Sequence, residues 1–516
     1  MVTTEFKGGF MRKLIAPVLI GATVATCAVA SSDMQVQLEE MKKQIAELKA
    51  AQEAINVDAL QRQISEVKAH TAGDNIKFDV DFRSGYDIVD YKLKNGPSQS
   101  NGIWTNKLIL GMAAQPREDL VFRGSLGVYK TFGNTSSFGA NGYQNMDWYA
   151  TQTPGDSVVR LREAYFLYFG QMGDVDYTAS FGRRPSVNGF LTNLREDNAN
   201  PASPIGHNIN MEFDGASFQF NVEKITNVSG MYFKLCLGRG NSDAEAKYPT
   251  FTGFPVMNSV FPSYAQTPYV KGNFDSPNMD IAGILAQLYD DGQFKVMANY
   301  FQGWNMMGAN FSYANGVDAS NGYAVNMTDV GDLSGGAVSL QVNGLSYEND
   351  FLMDTTVFAS FAWSETEPQG THNVIANPMT GALAPVTEML GSSKSETGHS
   401  YYVGVQVPGF FEGDKIGLEY NHGSKYWRSF TYGEDTLIGS KLATRGDAYE
   451  VYYNLPILGK NLTAQLRYTY IDYEYTGSDM FFGSTGTPMK VDDVAAMGAP
   501  VVDKASDLRL VLRYRY

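Results

Sequence analysis

From Ile76 to the C-terminus, apolar and polar residues alternate with period two, the pattern of strands with one face against an apolar medium. Ile76, Phe78, Val80 and Phe82 interleave with Lys77, Asp79, Asp81 and Arg83. The pattern predicts about sixteen strands, near 75–88, 103–115, 119–132, 156–169, 173–184, 208–222, 229–239, 278–290, 293–304, 332–347, 350–365, 397–408, 413–424, 444–455, 460–475 and 505–516. Their connections alternate in length. Pro116-Arg117-Glu118, Gly170-Gln171-Met172, Asp291-Gly292 and Glu348-Asn349 are short, whereas 133–155, 185–207, 240–277 and 366–396 are long and rich in Gly, Asn, Ser and Asp. A sandwich has no reason to sort loops by parity; a barrel crossing a membrane does. The expected fold is an all-β transmembrane barrel of antiparallel strands, with short periplasmic turns and long extracellular loops.

The last strand is the clearest. Leu508, Leu510, Leu512, Tyr514 and Tyr516 share one face; Arg509, Val511, Arg513 and Arg515 share the other. Such a row would be a liability as an open edge, whereas in a closed barrel it pairs with the first strand. A terminal aromatic on an alternating strand (Leu512, Tyr514, Tyr516) resembles the signal by which outer-membrane barrel assembly machinery recognises its substrates. The outward row would meet outer-membrane lipid and lipopolysaccharide. Aromatic clusters at strand ends, Tyr165 to Phe169, Tyr401-Tyr402, Tyr426-Trp427 and Tyr452-Tyr453, suit interfacial girdles.

The period is different ahead of the barrel. In 33–70, Met34, Leu38, Met41, Ile45, Leu48, Gln52 and Ile55 follow coiled-coil spacing. The register slips near Asn56-Val57-Asp58 and resumes at Leu60, Ile64 and Val67. So narrow a stripe calls for a partner helix, and the expectation is a homotrimer through this segment; the alternative is a lone helix lying on the barrel. An even strand count puts both barrel ends, and hence the helix, in the periplasm. Further upstream, Arg12 and Lys13 precede the apolar stretch Leu14 to Ala25, and Ala28-Val29-Ala30 is a cleavage site. The expected division is 1–30 signal peptide (with Met11 as the alternative start), 31–73 coiled-coil stalk and 74–516 barrel. A rival reading takes Cys27 as a lipidation site. Cleavage after Ala30 leaves Cys236 as the remaining cysteine, so no internal disulfide is expected.

Composition agrees. The 516 residues carry 40 Lys+Arg against 55 Asp+Glu, a net charge of -15, which argues against a nucleic-acid binder. Mean hydropathy is -0.24, low for a membrane protein. A barrel hides its polar residues in the lumen, so the low average is expected.

The candidate chemistry is electrostatic. Strand parity points Lys77, Arg83, Lys107, Arg123, Arg160, Arg162, Arg184, Arg467, Arg509 and Arg513 into the lumen, with Asp79, Asp81, Glu419 and Glu450 as the acids among them. Rings of such charges set ion preference. Arg123, Arg160, Arg162 and Arg184 are the candidate pore-lining bases. Loop 185–207 joins the fifth and sixth strands. If it folds inward, Glu196 and Asp197 face that arginine wall and create a transverse field; if it caps the outside, the arginines pair with neighbouring acids or lipopolysaccharide. A weak anion preference is expected. The five histidines (His70, His207, His372, His399, His422) show no metal-ligand spacing. No phosphate loop is present, and no cofactor or enzymatic activity is expected. His422 continues the outward row of Ile416, Leu418 and Tyr420. Arg445-Gly446-Asp447 matches an adhesion tripeptide too short to carry meaning.

Several segments have a familial look: Gly182-Arg183-Arg184-Pro185 followed by Asn188-Gly189, Leu194-Arg195-Glu196-Asp197, Leu418 to Trp427, and Thr444-Arg445-Gly446-Asp447 before Tyr449-Glu450-Val451-Tyr452-Tyr453. They resemble a domain-of-unknown-function family of porin-like outer-membrane proteins, over roughly residues 75–516. The resemblance implies a barrel and porin activity; it implies no substrate and no binding residues. The Pro-Glu-Phe-Gly-Gly constriction motif of general enterobacterial porins is absent. The leading expectation is a passive channel for small hydrophilic solutes. The alternatives are a secretion conduit gated by the coiled coil and a surface receptor or adhesin.

Overall fold

The computed structural model describes residues 76–132, 150–155, 157–184, 186–242, 278–377, 379–478 and 486–516. The expected signal peptide and coiled-coil stalk lie outside the described residues. The described chain forms a closed antiparallel barrel of sixteen strands. In chain order these are β1 (Lys77–Lys94), β2 (Gln99–Arg117), β3 (Leu120–Thr131), β4 (Arg160–Met172), β5 (Val175–Arg184) and β6 (Phe213–Asn221). Next come β7 (Tyr232–Asn241), β8 (Met279–Asp290), β9 (Phe294–Trp304), β10 (Gly331–Asn343) and β11 (Thr356–Pro368). The last are β12 (Thr397–Pro408), β13 (Lys415–Gly423), β14 (Gly446–Leu458), β15 (Leu462–Tyr473) and β16 (Val501–Arg515).

Closure is made by β1 against β16, in register from Asp81↔Arg515 to Lys94↔Val501 with one bulge near Lys92. Beyond the ladder, the Tyr516 and Val80 amides donate to each other's carbonyls at 2.9 and 3.0 Å. The terminal aromatic residue therefore closes the seam and leaves no free edge.

The period-two pattern locates every barrel strand; the ends move. β1 and β2 run on to Tyr91↔Gln99, so their connection is only 95–98, a short link on the side of the long loops. β11 begins later than alternation suggests. Asp350–Met353 make one helical turn, capped by Asn349, whose side chain accepts from the Phe351 amide at 2.8 Å. Two long loops carry their own hairpins, Met307–Tyr313 with Tyr323–Asp329 and His372–Asn377 with Ala382–Val386.

The barrel is inverted relative to a soluble protein. Leu508, Leu510, Leu512 and Tyr514 are exposed outward, as are Phe166, Leu237, Leu340, Tyr401 and Val451, while Arg509 and Arg513 are buried inside. A contiguous apolar belt of this kind would aggregate in water and is satisfied by lipid. One expectation needs correcting. Tyr402, Tyr452 and Trp427 are almost wholly buried and belong to no girdle. Alternation sends one member of each Tyr-Tyr pair inward, and Trp427 sits on a loop that enters the barrel.

Candidate functional site: two loops inside the barrel

Among the described residues, two long connections fill much of the lumen, 186–212 between β5 and β6 and 424–445 between β13 and β14; Thr151 and Gln152, between β3 and β4, also reach inside, to Glu212 and Lys107. Both long connections carry large apolar side chains that water would expose. Phe190, Leu191 and Ile205 from the first and Trp427 and Leu442 from the second pack on Leu285, Met297, Ala337, Phe358, Ala362 and Tyr402 of β8 to β12. Nearer the long-loop end, Met211 and Phe430 join Phe213, Met279, Phe301 and Leu333. Full burial of each such side chain stabilises by about 1.5–3 kcal/mol. This side of the lumen is therefore a dry core.

The loops also hold each other. The Asn210 amide donates to Phe430 O at 2.6 Å, the Phe430 amide to Asn208 O at 3.0 Å, and the Gly433 amide to Asn210 O at 2.9 Å. A Cβ on Gly433 would lie 2.3 Å from Asn210 O, so glycine is what allows the approach. A second glycine, Gly398 on β12, admits the backbone of Trp427 in the same way.

The tip of the first loop is gripped through its carbonyls. Gln406 donates to Leu194 O at 3.2 Å, Gln465 to Arg195 O at 2.7 Å, Arg513 to Glu196 O at 2.8 Å and Arg515 to Asp197 O at 3.1 Å. Arg513 and Arg515 close the final strand, so the tip has descended toward the end of the barrel that carries the short turns.

Here the lumen is ionic. Arg195 is 1% exposed and meets Glu434 at 2.6 Å and Glu196 at 3.0 Å. Glu196 also receives Arg83 at 2.9 Å. Asp435 receives Arg509 at 2.9 Å, Lys107 at 3.1 Å, the Tyr129 hydroxyl at 3.1 Å and Arg83 at 3.4 Å. Lys441 bridges Glu419 and Glu450. Burial by itself would raise the loop carboxyls. For Asp435, Lys107, Arg509 and Arg83 outweigh it, and for Glu196, Arg195 and Arg83 do so, holding both well below the usual carboxylate range.

His207 joins the two regions. Its Nδ1 lies 2.8 Å from Ser360 Oγ and its Nε2 2.9 Å from Ser400 Oγ. Asn421 Nδ2 donates to Lys441 O, which leaves Asn421 Oδ1 to accept from Ser400 Oγ at 3.0 Å. Ser400 must then accept from His207 Nε2–H, and Ser360 donates to Nδ1. The imidazole is neutral, and burial pushes its pKa down to about 3.

The sequence-predicted residues fall into two groups. Glu196 and Asp197 are inside the barrel, but their partners are Arg83, Arg195 and Arg467 for the first and Arg515 for the second. They do not pair with Arg123, Arg160, Arg162 and Arg184, because the loop runs on past β3 to β5 to the β14-to-β1 side. Arg162 instead meets Glu212 at 3.4 Å and Glu163 at 3.4 Å. Arg184 donates to Ala216 O at 3.1 Å. Arg123 lies opposite Tyr165 in the ladder, and Arg160 opposite Gly127. Sequence reasoning missed Arg195, His207, Glu434, Asp435 and Lys441 as lumen residues. One signal was present: loop 424–445 contains Trp427, Phe430, Leu437, Ile438 and Leu442, more apolar bulk than a solvated loop needs. His422 bonds Asp447 at 2.9 Å on the outward row, and Arg445 is buried, donating to Trp427 O at 3.0 Å. The adhesion tripeptide is thus no surface motif.

A closed, even-stranded antiparallel barrel with an apolar exterior and a charged, loop-filled interior is a transmembrane β-barrel of the porin-like, outer-membrane class. The chain belongs to the family described as "Protein of unknown function (DUF3373)", whose model matches residues 97–516. Among solved structures it is similar to Pseudomonas putida OprB at high pH, at 13% identity over 88% of this chain and 97% of that one, with a TM-score of 0.44. It is also similar to an anion-selective porin from Comamonas acidovorans, at 9% identity over 86% of this chain and 99% of that one, with a TM-score of 0.45. Vibrio cholerae OmpT in its trimer form is similar at 10% identity over 86% of this chain and 99% of that one, with a TM-score of 0.41. No curated protein matches.

Proposed function

We propose that this protein is an outer-membrane diffusion channel for small hydrophilic solutes, narrowed by its two inward loops. The observation that carries the reading is the lumen itself: charged side chains line it, and loop 186–212 crosses it on the basic seam of β14 to β1. We read the passage as running along the β3-to-β5 wall, where Arg123, Arg160, Arg162 and Arg184 stand, because the loop tip is committed to the opposite seam. Rings of bases favour anions. The loop acids neutralise the opposite wall, so the preference is for anions and weak. The channel is not an enzyme; the buried His207-serine chain is sealed from solvent and holds the loop.

Planar-bilayer recording of the full-length chain tests this. The expected result is ohmic conductance with a reversal potential displaced slightly toward that of chloride in a KCl gradient. Clear cation selectivity would refute the anion preference, and a silent barrel would favour a receptor. Removing residues 33–70 separates the channel from a gated secretion conduit: a channel conducts as before, a conduit changes its gating. The same truncation, followed by cross-linking in detergent, tests trimerisation through the helical segment.

A further inference from the structure

Below the tip of loop 186–212, at the short-turn end of the barrel, lies a cavity of about 490 Å³. It is within the size range of small-molecule sites. Its lining bases form two tiers. The upper tier, Arg83, Lys107, Arg467 and Arg509, is committed to Glu196 and Asp435 or to the Asp435 carbonyl. In the lower tier, Arg513 pairs with Asp81 at 2.5 Å and Arg515 with Asp197 at 3.0 Å. Lys415 and Lys460 also line the cavity and are exposed, and among the described residues neither has an ion-pair partner. Lys415 stands on the lumenal row of β13, opposite Asn454, and Lys460 tops the 459–461 turn. The remaining acid at this level is Glu412, one carboxylate against two uncommitted ammonium groups.

We infer that this vestibule is an oxyanion subsite, in which Lys415 and Lys460 recognise a phosphate- or carboxylate-bearing solute on the periplasmic side of the constriction. The inference rests on the channel reading only for its orientation and its role in transport. The Arg513 and Arg515 guanidinium groups add a positive wall already held in place by their own carboxylates. An ammonium pair suits a compact polyvalent anion and imposes little shape selection. The site is open to water, so its affinity falls as salt shortens the screening length below about 10 Å.

Two measurements decide it. In calorimetric titrations of the full-length protein in detergent at low salt, pyrophosphate or citrate binds the wild type. Binding is weakened at least about tenfold in Lys415→Gln/Lys460→Gln and strengthened in Glu412→Gln. Whichever anion binds tighter names the head group. No binding of either, or equal affinity in the double variant, overturns the inference; both lysines are exposed rim residues, and unchanged heat-modifiable migration checks folding. In bilayers, pyrophosphate added on the short-turn side reduces the current more than the same addition on the other side. A silent bilayer would defeat the channel reading, and the calorimetric result would still decide the subsite.

Discussion

The two sides of the lumen hold the same loop by different physics. Against β8 to β12, Phe190, Leu191 and Ile205 pack in a dry apolar core. Against β14 to β1, Arg195, Glu196 and Asp197 sit among buried ions and carbonyl-directed arginines. The first attachment depends on shape, with His207 set between Ser360 and Ser400 as a titrating group within it. The second depends on complete pairing, because a buried charge deprived of its partner is costly. A loop anchored in both ways can be loosened on one side while it stays docked on the other.

The largest expected effect is on the ionic side. Arg195→Ala takes from buried Glu434 its closest cation, at 2.6 Å, while Glu196 keeps Arg83, and loosens the tip by about 3–5 kcal/mol. Amide hydrogen exchange at 194–197 should accelerate strongly while 189–191 stays protected; if the whole loop speeds up equally, the two attachments are not separate. Leu191→Ala is the reciprocal test. It removes a fully buried side chain and costs about 3 kcal/mol, with a loss that does not vary between pH 5 and 8.

Acid discriminates further. His207 is neutral in the seated loop, with its pKa pushed down by burial to about 3 from an ordinary 6.5. A released loop takes up the proton at about 6.5, so the seated state loses stability as pH falls from there toward 3, by about 1.4 kcal/mol per unit. The sign is the same for Glu196 and Asp435, whose stabilisation is full above the ordinary carboxylate range and is lost only as pH falls through it. Loop release in acid should therefore begin near pH 6.5, through the histidine, and steepen below about 4, through the carboxylates. In His207→Asn, monitored by bilayer conductance, the upper phase should vanish and the lower one remain; a persistent upper phase would remove His207 from the account. The smallest effect belongs to an exposed pair. Lys94 meets Asp492 at 2.5 Å on the long-loop side, and Asp492→Asn should leave amide exchange and thermal stability essentially unchanged, because water screens the pair.

Much of this was legible in the chain. Period-two alternation reveals both faces of every barrel strand, which is why Arg83, Lys107, Arg467, Arg509 and Arg513 could be assigned to the lumen from parity. Alternation is a local property, and pairing in a closed sheet preserves it. The aromatic clusters misled for the same reason: adjacent tyrosines cannot share a face, so Tyr401 faces lipid and Tyr402 the lumen. Glu196 and Asp197 were legible as candidates, but their partners were not. A loop has no period, and nothing local states which wall it will reach.

The sequence by itself determined the barrel, its strand number, the inside and outside of each strand and the basic character of the lumen, because each follows from spacing along the chain. Only the tertiary structure decided that loop 424–445 joins 186–212 inside, that Arg195 meets Glu434 across 239 residues, and that His207 ties β11 to β12. Those contacts depend on how far a loop descends and what it meets there. That is set by the sum of apolar burial and ion pairing over the whole lumen, a quantity no single segment contains.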